Sequence, residues 1–112
     1  MLASVVCCHG SQREEVTVAV ALVFEGVTQE QYEESVRRLS GGKARMESPG
    51  DWPVEGLLAH IAGQGQNAFR VVDVWESQEA LDAFGAKLMP ILQEIGVQGE
   101  PEIYPVQTFV SA

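Results

Sequence analysis

The apolar positions of this chain follow two different periods, and the changes between them divide the chain into six elements. Continuous or alternating apolar residues predict strands, because successive side chains of a strand point to opposite faces. Apolar residues three and four positions apart predict helices, because such positions share one helix face. The predicted strands cover residues 16–25, 57–62, 69–76 and 103–110, and the predicted helices lie between Thr28 and Gly41 and between Ser77 and Gly96.

The first helix has a recognisable beginning and end. Thr28 followed by Gln31 is a capping-box pattern, in which each side chain bonds the backbone N–H of the other residue. The apolar stripe that follows is formed by Tyr32, Val36 and Leu39. Gly41 then ends the helix, since glycine accepts the left-handed conformation found after a last helical turn.

The second helix carries the strongest periodic pattern in the chain. Ser77 is a good N-cap residue, and Glu79 in the first turn suits the positive end of the helix dipole. The apolar positions are Leu81, Phe84, Leu88, Ile91, Leu92 and Ile95. Pro90 has no N–H to donate and clashes with the carbonyl four residues earlier, so we expect it to kink or divide this helix. Gly96 suits the C-terminal cap.

The element order predicts a ferredoxin-like α+β fold of the type βαββαβ. Residues 63–67, between the second and third strands, are rich in Gly, Gln and Asn and predict a hairpin turn. Right-handed crossovers on both sides of this hairpin give a four-stranded antiparallel sheet with both helices on one face. Pro105 lacks an N–H, which is typical of an edge strand.

The first strand also predicts a second copy of the chain as a partner. Because it is apolar at nearly every position, the face of the sheet that carries no helix must be covered as well. Two copies that stack these faces in a symmetric dimer cover both of them. The sequence therefore predicts a homodimer that closes into an α+β barrel.

Composition limits the remaining partners and the compartment. The 112 residues suit one domain, and we expect residues 1–15 to form a flexible N-terminal arm ahead of a barrel domain of residues 16–112. The net charge of −9 repels a phosphate backbone, which argues against nucleic acid as a partner. The longest apolar run, residues 18–24, is too short to cross a membrane. The two cysteines are adjacent, which favours a reduced, cytoplasmic protein.

His60 and Asp73 are the residues most suited to chemistry. His60 lies within an apolar strand, and a neutral imidazole there can take a proton from a phenol or an enol. Counting inward from the predicted turn puts His60 opposite Val71 or Asp73. A pair of His60 and Asp73 would orient the imidazole and raise its basicity. The alternatives are a core histidine bonded to the backbone or to water, and an Asp73 bonded to Arg70 or to a helix end.

Aromatic and basic residues near this hairpin are candidate ligand contacts. Tyr32 and Trp75 are placed to stack on a planar ligand, and core packing is the alternative for both. Trp52, in the long connection of residues 43–56, either covers a cavity or plugs the end of the core. Arg70 either binds an acidic group of the ligand or forms a surface salt bridge.

Neither a metal nor a cofactor is predicted. Zinc prefers four donors, and the whole chain holds two cysteines and two histidines, with Cys7, Cys8 and His9 together near the N-terminus. The Gly-rich stretch 63–67 is not a phosphate-binding loop, because a strand follows it and no Lys-Ser or Lys-Thr pair does.

Three stretches of the sequence resemble a known superfamily. They are VALVFE at 20–25, GLLAHIAG at 56–63 and VVDVWESQEAL at 71–81, the last followed by Phe84. They resemble the dimeric α+β barrel superfamily, which includes the antibiotic-biosynthesis monooxygenases and small bacterial relatives. The resemblance covers residues 16–110 and implies a ligand cavity in each subunit, between the sheet and the helices. The superfamily also holds haem enzymes, cyclases, isomerases and proteins with no known reaction.

The residues and the resemblance together predict a protein that binds a small hydrophobic molecule, aromatic or polyketide-like. The first hypothesis is a cofactor-independent oxygenase, cyclase or isomerase with His60 as the base. A substrate whose own carbanion reduces oxygen needs only proton abstraction from the protein, so one histidine suffices. The alternative is a non-catalytic ligand-binding or accessory protein of the same fold, and a haem protein is a third possibility.

Overall fold

The computed structural model of this protein describes residues 18–111, so the predicted N-terminal arm, with Cys7, Cys8 and His9, lies outside the described residues. The elements are strand β1 (Val20–Val27), helix α1 (Gln29–Ser40), a short 3₁₀ helix (Pro49–Asp51), strands β2 (Leu57–Gln64) and β3 (Phe69–Trp75), helix α2 (Gln78–Glu94) and strand β4 (Glu102–Pro105). The strands and α-helices follow one another in the predicted order.

The four strands form one sheet in the order β2-β3-β1-β4, and every neighbouring pair is antiparallel. This is the strand order of the ferredoxin-like α+β fold, so the predicted fold class is confirmed. Apolar side chains of β1, β3 and α2 form one buried core, and α1 packs against it through Tyr32 and Leu39. Neither α1 nor α2 has the length and apolar content that a membrane span requires.

A bulge in β1 brings two side chains to the helix side of the sheet. The pairing of β1 with β3 shifts between Glu25 and Val27, and Gly26 occupies the extra position with a φ of 100°. That left-handed conformation favours glycine. Because of the extra residue, Phe24 and Val27 both reach the buried core although they are three positions apart.

A second bulge, in β2, brings Leu57 to the same face of the sheet as His60. The pairing of β2 with β3 shifts between Leu57 and Ala59, which leaves Leu58 as the extra residue. Leu57 packs against the core, and His60 also faces the helices, three positions later. A regular strand would turn one of these two side chains to the other face. Beyond the bulge, His60 is the direct partner of Asp73.

The helix ends confirm the predicted caps. Thr28 and Gln31 form a reciprocal capping box, with both hydrogen bonds at 3.0 Å. Gly41 follows α1 with a φ of 79°, the left-handed conformation expected there. Ser77 caps the N-terminus of α2, and Gly96 follows its C-terminus with a φ of 86°.

Pro90 does not divide α2, which runs as one continuous helix from Gln78 to Glu94. Of the two predicted effects, a kink or a division, the division is therefore wrong. Proline removes the hydrogen bond that its N–H would give to the carbonyl of the residue four positions earlier. Phe84 and Leu92, on either side of Pro90, are both buried in the core, and this packing holds the helix together across the missing bond.

Two predicted strand boundaries also differ from the structure. Strand β1 begins at Val20 and continues through its bulge to Val27, whereas residues 16–25 were expected. Strand β4 ends at Pro105 and not at residue 110, because β1 offers it partners only from Val20 to Val23. Directly after β4, the backbone N–H of Val106 donates one further hydrogen bond to the carbonyl oxygen of Ala19, at 2.8 Å. Strand β4 lies at the sheet edge, as Pro105 predicts.

Candidate functional site

The centre of the site is a hydrogen-bonded pair, His60 and Asp73. His60 Nδ1 lies 2.5 Å from Asp73 Oδ1, and the two residues are direct partners across β2 and β3. The Asp73 side chain is only 4 % exposed, and that of His60 is 16 % exposed. A buried carboxylate requires a hydrogen-bond donor, and the imidazole supplies it. Of the alternatives that the sequence left open for Asp73, the structure contains the His60 pair.

Tyr32 extends this pair into a chain of three groups. It projects from α1, and its Oη lies 2.7 Å from His60 Nε2. An ionised carboxylate only accepts hydrogen bonds, so the ring proton of a neutral His60 belongs on Nδ1. Nε2 is then an acceptor, and the Tyr32 O–H donates to it. The hydrogen bonds therefore run from Tyr32 through His60 to Asp73.

The environment keeps the Tyr32 phenol protonated. Burial raises the pKa of Tyr32 above its ordinary value of 10.0, and the negative charge of Asp73 raises this pKa further. At neutral pH Tyr32 is therefore a hydrogen-bond donor. Its O–H can donate a hydrogen bond to His60 or to an acceptor group of a ligand.

The raised pKa of Tyr32 predicts a loss of stability at alkaline pH. The unfolded chain releases the phenol proton near the ordinary pKa of 10.0, while the folded protein still holds it. This contribution to the free energy of unfolding is complete below that pH and is lost as the pH rises through the folded-state pKa. We expect the melting temperature of wild type to fall more steeply above about pH 10 than that of Tyr32→Phe.

Thermal unfolding followed by circular dichroism across this pH range measures the difference. Phe84→Leu is the matched control, because Phe84 is a buried aromatic residue that carries no titrating group. We expect the control to retain the wild-type decline. Equal declines in wild type and Tyr32→Phe would contradict the buried environment assigned to Tyr32.

The three groups border an apolar cavity of about 60 Å³ between the sheet and the two helices. Four of the predicted site residues line it, and they are Tyr32, Trp52, His60 and Asp73. The remaining wall is almost entirely hydrocarbon from β1, α1 and α2. The volume is about that of two water molecules, well below the several hundred Å³ of ordinary ligand sites. An organic ligand therefore enters only if part of the wall moves.

One part of the cavity wall comes from the cover segment, residues 43–56, which contributes Met46 and Trp52. Trp52 projects from it with its ring edge-on to His60, the ring centroids 4.8 Å apart. Lys43 and Asp51 form a salt bridge of 2.8 Å within the segment, and Asp51 also accepts two of its backbone N–H groups. The Lys43 ammonium lowers the pKa of the Asp51 carboxyl. Trp52 lines the cavity and also packs against the core, so it meets both descriptions that the sequence suggested.

Two predicted ligand contacts lie away from the cavity. Trp75 is fully buried and stacks on Phe84, with the ring centroids 4.8 Å apart. Arg70 points to the opposite face of β3, where its side chain is 63 % exposed and forms a salt bridge of 2.8 Å with Glu25. Both residues therefore adopt the alternative to a ligand contact that the sequence left open, which is core packing for Trp75 and a surface salt bridge for Arg70.

Two residues of the cavity wall were missed by the sequence analysis. Ser35 is 6 % exposed, and its Oγ donates to the carbonyl oxygen of Tyr32 at 2.7 Å. Its position three residues after Tyr32 places it on nearly the same helix face, so the helical spacing could have predicted it as a residue of the cavity wall. Met46 lies in the cover segment, where no periodicity indicates which side chains point inward.

Comparison with known proteins supports the fold. No described protein family and no curated protein matches the sequence. A provisionally assigned monooxygenase from Shewanella loihica PV-4 matches with a TM-score of 0.53 and 19 % identity, over 85 % of this chain and 100 % of that one. A conserved protein from Methanosarcina mazei Go1 matches with a TM-score of 0.50 and 17 % identity, over 83 % and 95 %. SnoaB, a cofactor-independent oxygenase from Streptomyces nogalater, has a TM-score of 0.48 and 13 % identity, over 85 % and 94 %.

At this level of identity the comparisons show the fold alone. The chain has the α+β architecture of these small proteins, so the resemblance predicted from the sequence is confirmed in its fold. The chemistry has to be argued from the side chains of this chain.

Proposed function

We propose that this protein is a cofactor-independent enzyme that removes a proton next to the carbonyl group of a small hydrophobic aromatic ketone. The observation that carries the proposal is the chain Tyr32, His60, Asp73 on the wall of an apolar cavity. The monooxygenase assignment of the Shewanella protein is compatible with this chemistry. The resulting enolate is then reprotonated in an isomerase, attacks a second carbon in a cyclase or gives electrons to O₂ in an oxygenase.

Each of the three side chains has a separate role in the proposed step. The Tyr32 O–H turns from His60 to the carbonyl oxygen of the substrate and stabilises the charge that develops there. His60 Nε2 is thereby released and takes the proton from the neighbouring carbon. Asp73 holds the imidazole in the required tautomer and stabilises the imidazolium that forms. The raised pKa of Tyr32 suits its role, because a protonated phenol is the better donor.

Substrate entry requires the cover segment to move outward. The cavity of about 60 Å³ is too small for an aromatic ketone, and Trp52 occupies space beside His60. The salt bridge between Lys43 and Asp51 is internal to the segment, so the segment can move as one piece. When it closes again it excludes water, which strengthens the hydrogen bonds inside the site.

Proton exchange of 2-tetralone in D₂O tests the proposal. This apolar ketone carries an acidic C–H next to its carbonyl, and proton NMR follows the replacement of that hydrogen by deuterium. We expect wild type to accelerate the exchange well above the rate in buffer. Binding of 2-tetralone without accelerated exchange would favour the ligand-binding alternative. Neither binding nor exchange would contradict the proposed substrate class.

We further propose that two copies of the chain stack their helix-free faces. Two rows cross that face of the sheet in register, Ala59-Val74-Ala21-Tyr104 and Ile61-Val72-Val23-Glu102, and only Glu102, on the edge strand, is charged. Ile61 and Tyr104 are 66 % and 43 % exposed in the single chain. A second copy would remove this apolar surface from water, which is the main driving force for permanent dimers.

Native mass spectrometry of Ile61→Glu tests the dimer. A buried, unpaired carboxylate at this position disfavours the stacked interface. We expect twice the chain mass for wild type and the monomer mass for Ile61→Glu. Met89→Glu is the matched control, since Met89 is an exposed apolar residue on α2. Monomeric wild type, or dimeric Ile61→Glu, would contradict the proposed interface.

A further inference from the structure

An open groove lies beside the apolar cavity and shares Tyr32 with it. The groove has a volume of about 530 Å³, which is within the range of small-molecule sites. One side is a stripe of α1 residues four positions apart, Gln29, Glu33 and Arg37. The other side is the end of the β2–β3 hairpin, with Gln64 and Phe69, and Arg45 of the cover segment completes it. We call this feature the arginine groove.

The charges in the arginine groove are not balanced within it. Arg37 already binds Glu34, with a salt bridge of 2.7 Å. The Glu33 carboxylate accepts a hydrogen bond from Gln29 at 3.2 Å. Arg45 forms no salt bridge with any carboxylate among residues 18–111. Within residues 18–111, this arginine is therefore an exposed cation without an ion pair at the rim of a ligand-sized groove, in a chain of net charge −9.

We propose that the arginine groove binds a carboxylate of the substrate, so that the preferred substrate is an aromatic ketone that also carries a carboxylate group. This inference rests on the proposed function and narrows its substrate class to aromatic keto acids. Tyr32 lines both spaces, so a ligand that lies along its ring reaches from the groove into the cavity. The apolar part then lies near His60, and the carboxylate stays outside with Arg45.

The chemistry of the two spaces fits such a divided ligand. The cavity beside His60 is apolar, and a second carboxylate close to Asp73 would be repelled. The groove is open to solvent, so a carboxylate there stays partly hydrated and avoids the cost of burying a charge. The guanidinium of Arg45 can bind it through two parallel hydrogen bonds. The aromatic ring of Phe69 lies at 5.1 Å from that of Tyr32 and offers a second apolar contact.

Isothermal titration calorimetry with two matched probes tests this proposal. The probes are 2-naphthoate and 2-naphthamide, which have the same ring system but differ in charge. We expect wild type to bind 2-naphthoate about tenfold more tightly than 2-naphthamide, as a charge-assisted contact predicts. This preference should weaken as the salt concentration rises, because the contact lies near solvent.

Arg45→Gln should abolish most of the preference for 2-naphthoate. Lys87→Gln is the matched control, because Lys87 is also an exposed cation without a salt bridge among residues 18–111 but lies on α2, away from the groove. Glu33→Gln should increase the affinity for 2-naphthoate, since it removes the one acidic group of the groove wall. Because solvent screens charges at the surface, we expect an increase of only about two- to threefold.

Three results would overturn the proposal. The first is equal affinity of wild type for the two probes. The second is an equal loss of the preference for 2-naphthoate in Arg45→Gln and Lys87→Gln. The third is no binding of either probe. The outcome is separable from that of the proposed function, because binding of 2-naphthoate requires no proton transfer. His60→Ala should retain the preference for 2-naphthoate even though it loses proton exchange.

Discussion

His60→Ala lowers the rate of 2-tetralone proton exchange by about 100- to 10,000-fold, the contribution expected of a positioned general base. The substitution removes the imidazole whose Nε2, in the proposed step, takes the substrate proton while Asp73 holds the ring in place. The proton NMR assay described above measures the effect. A rate within a factor of about three of wild type would show that His60 is not the base.

Two further variants separate chemistry from stability. His60→Ala leaves Asp73 buried without its partner, which destabilises a protein by about 3–5 kcal/mol. The double variant His60→Ala with Asp73→Ala removes the unpaired carboxylate, so it should be more stable than His60→Ala and equally inactive. Asp73→Asn keeps the shape but offers an N–H to the imidazole, which favours the wrong tautomer, so it should also lose most exchange activity.

Trp75→Ala lowers the free energy of unfolding by about 3–5 kcal/mol, the usual cost of truncating a fully buried aromatic residue. Among residues 18–111, Trp75 is the one large side chain with essentially no exposed surface, and it stacks on Phe84 of α2. Its removal therefore opens a void where β3 meets α2. Urea unfolding followed by circular dichroism measures the loss.

Trp75→Phe is the matched control for this prediction. The Nε1–H of Trp75 has no hydrogen-bond acceptor among the described residues, so phenylalanine removes an unsatisfied donor while it keeps most of the ring contact with Phe84. We expect a cost of about 1–2 kcal/mol or less for this smaller change. If Trp75→Ala instead lost affinity for 2-tetralone at unchanged stability, Trp75 would be a ligand contact, and its role as a core residue would be contradicted.

The architecture was predictable because each element carries its own local signal. The capping box at Thr28, the N-cap at Ser77 and the edge-strand signal of Pro105 each require only a few neighbouring residues. The pairing of His60 with Asp73 was within reach of the sequence, since both lie in one hairpin. Its exact register was not, because it depends on how many residues the turn takes up, and the turn sequence left both Val71 and Asp73 as partners of His60.

The remaining errors come from tertiary packing, which local patterns do not report. Alternation along β3 placed Trp75 and Asp73 on one face, but it does not tell a cavity wall from the core beside it. Arg70 lies on the other face of the same strand, where Glu25 of β1 is its partner. The part played by Arg45 follows from the position of the cover segment against α1, and no periodic pattern describes that segment.

Nitrogen-15 NMR of the histidine rings tests the central claim most directly, because it needs no substrate. The chain holds His9 and His60, and the spectrum of His60→Ala assigns the signals of each. At about pH 8, where an ordinary imidazole is neutral, we predict that the His60 proton lies on Nδ1 and that Nε2 is unprotonated. That result would place a ready proton acceptor beside Tyr32. A proton on Nε2 would mean that His60 donates to Tyr32, and it would contradict the proposed role of His60 as the base.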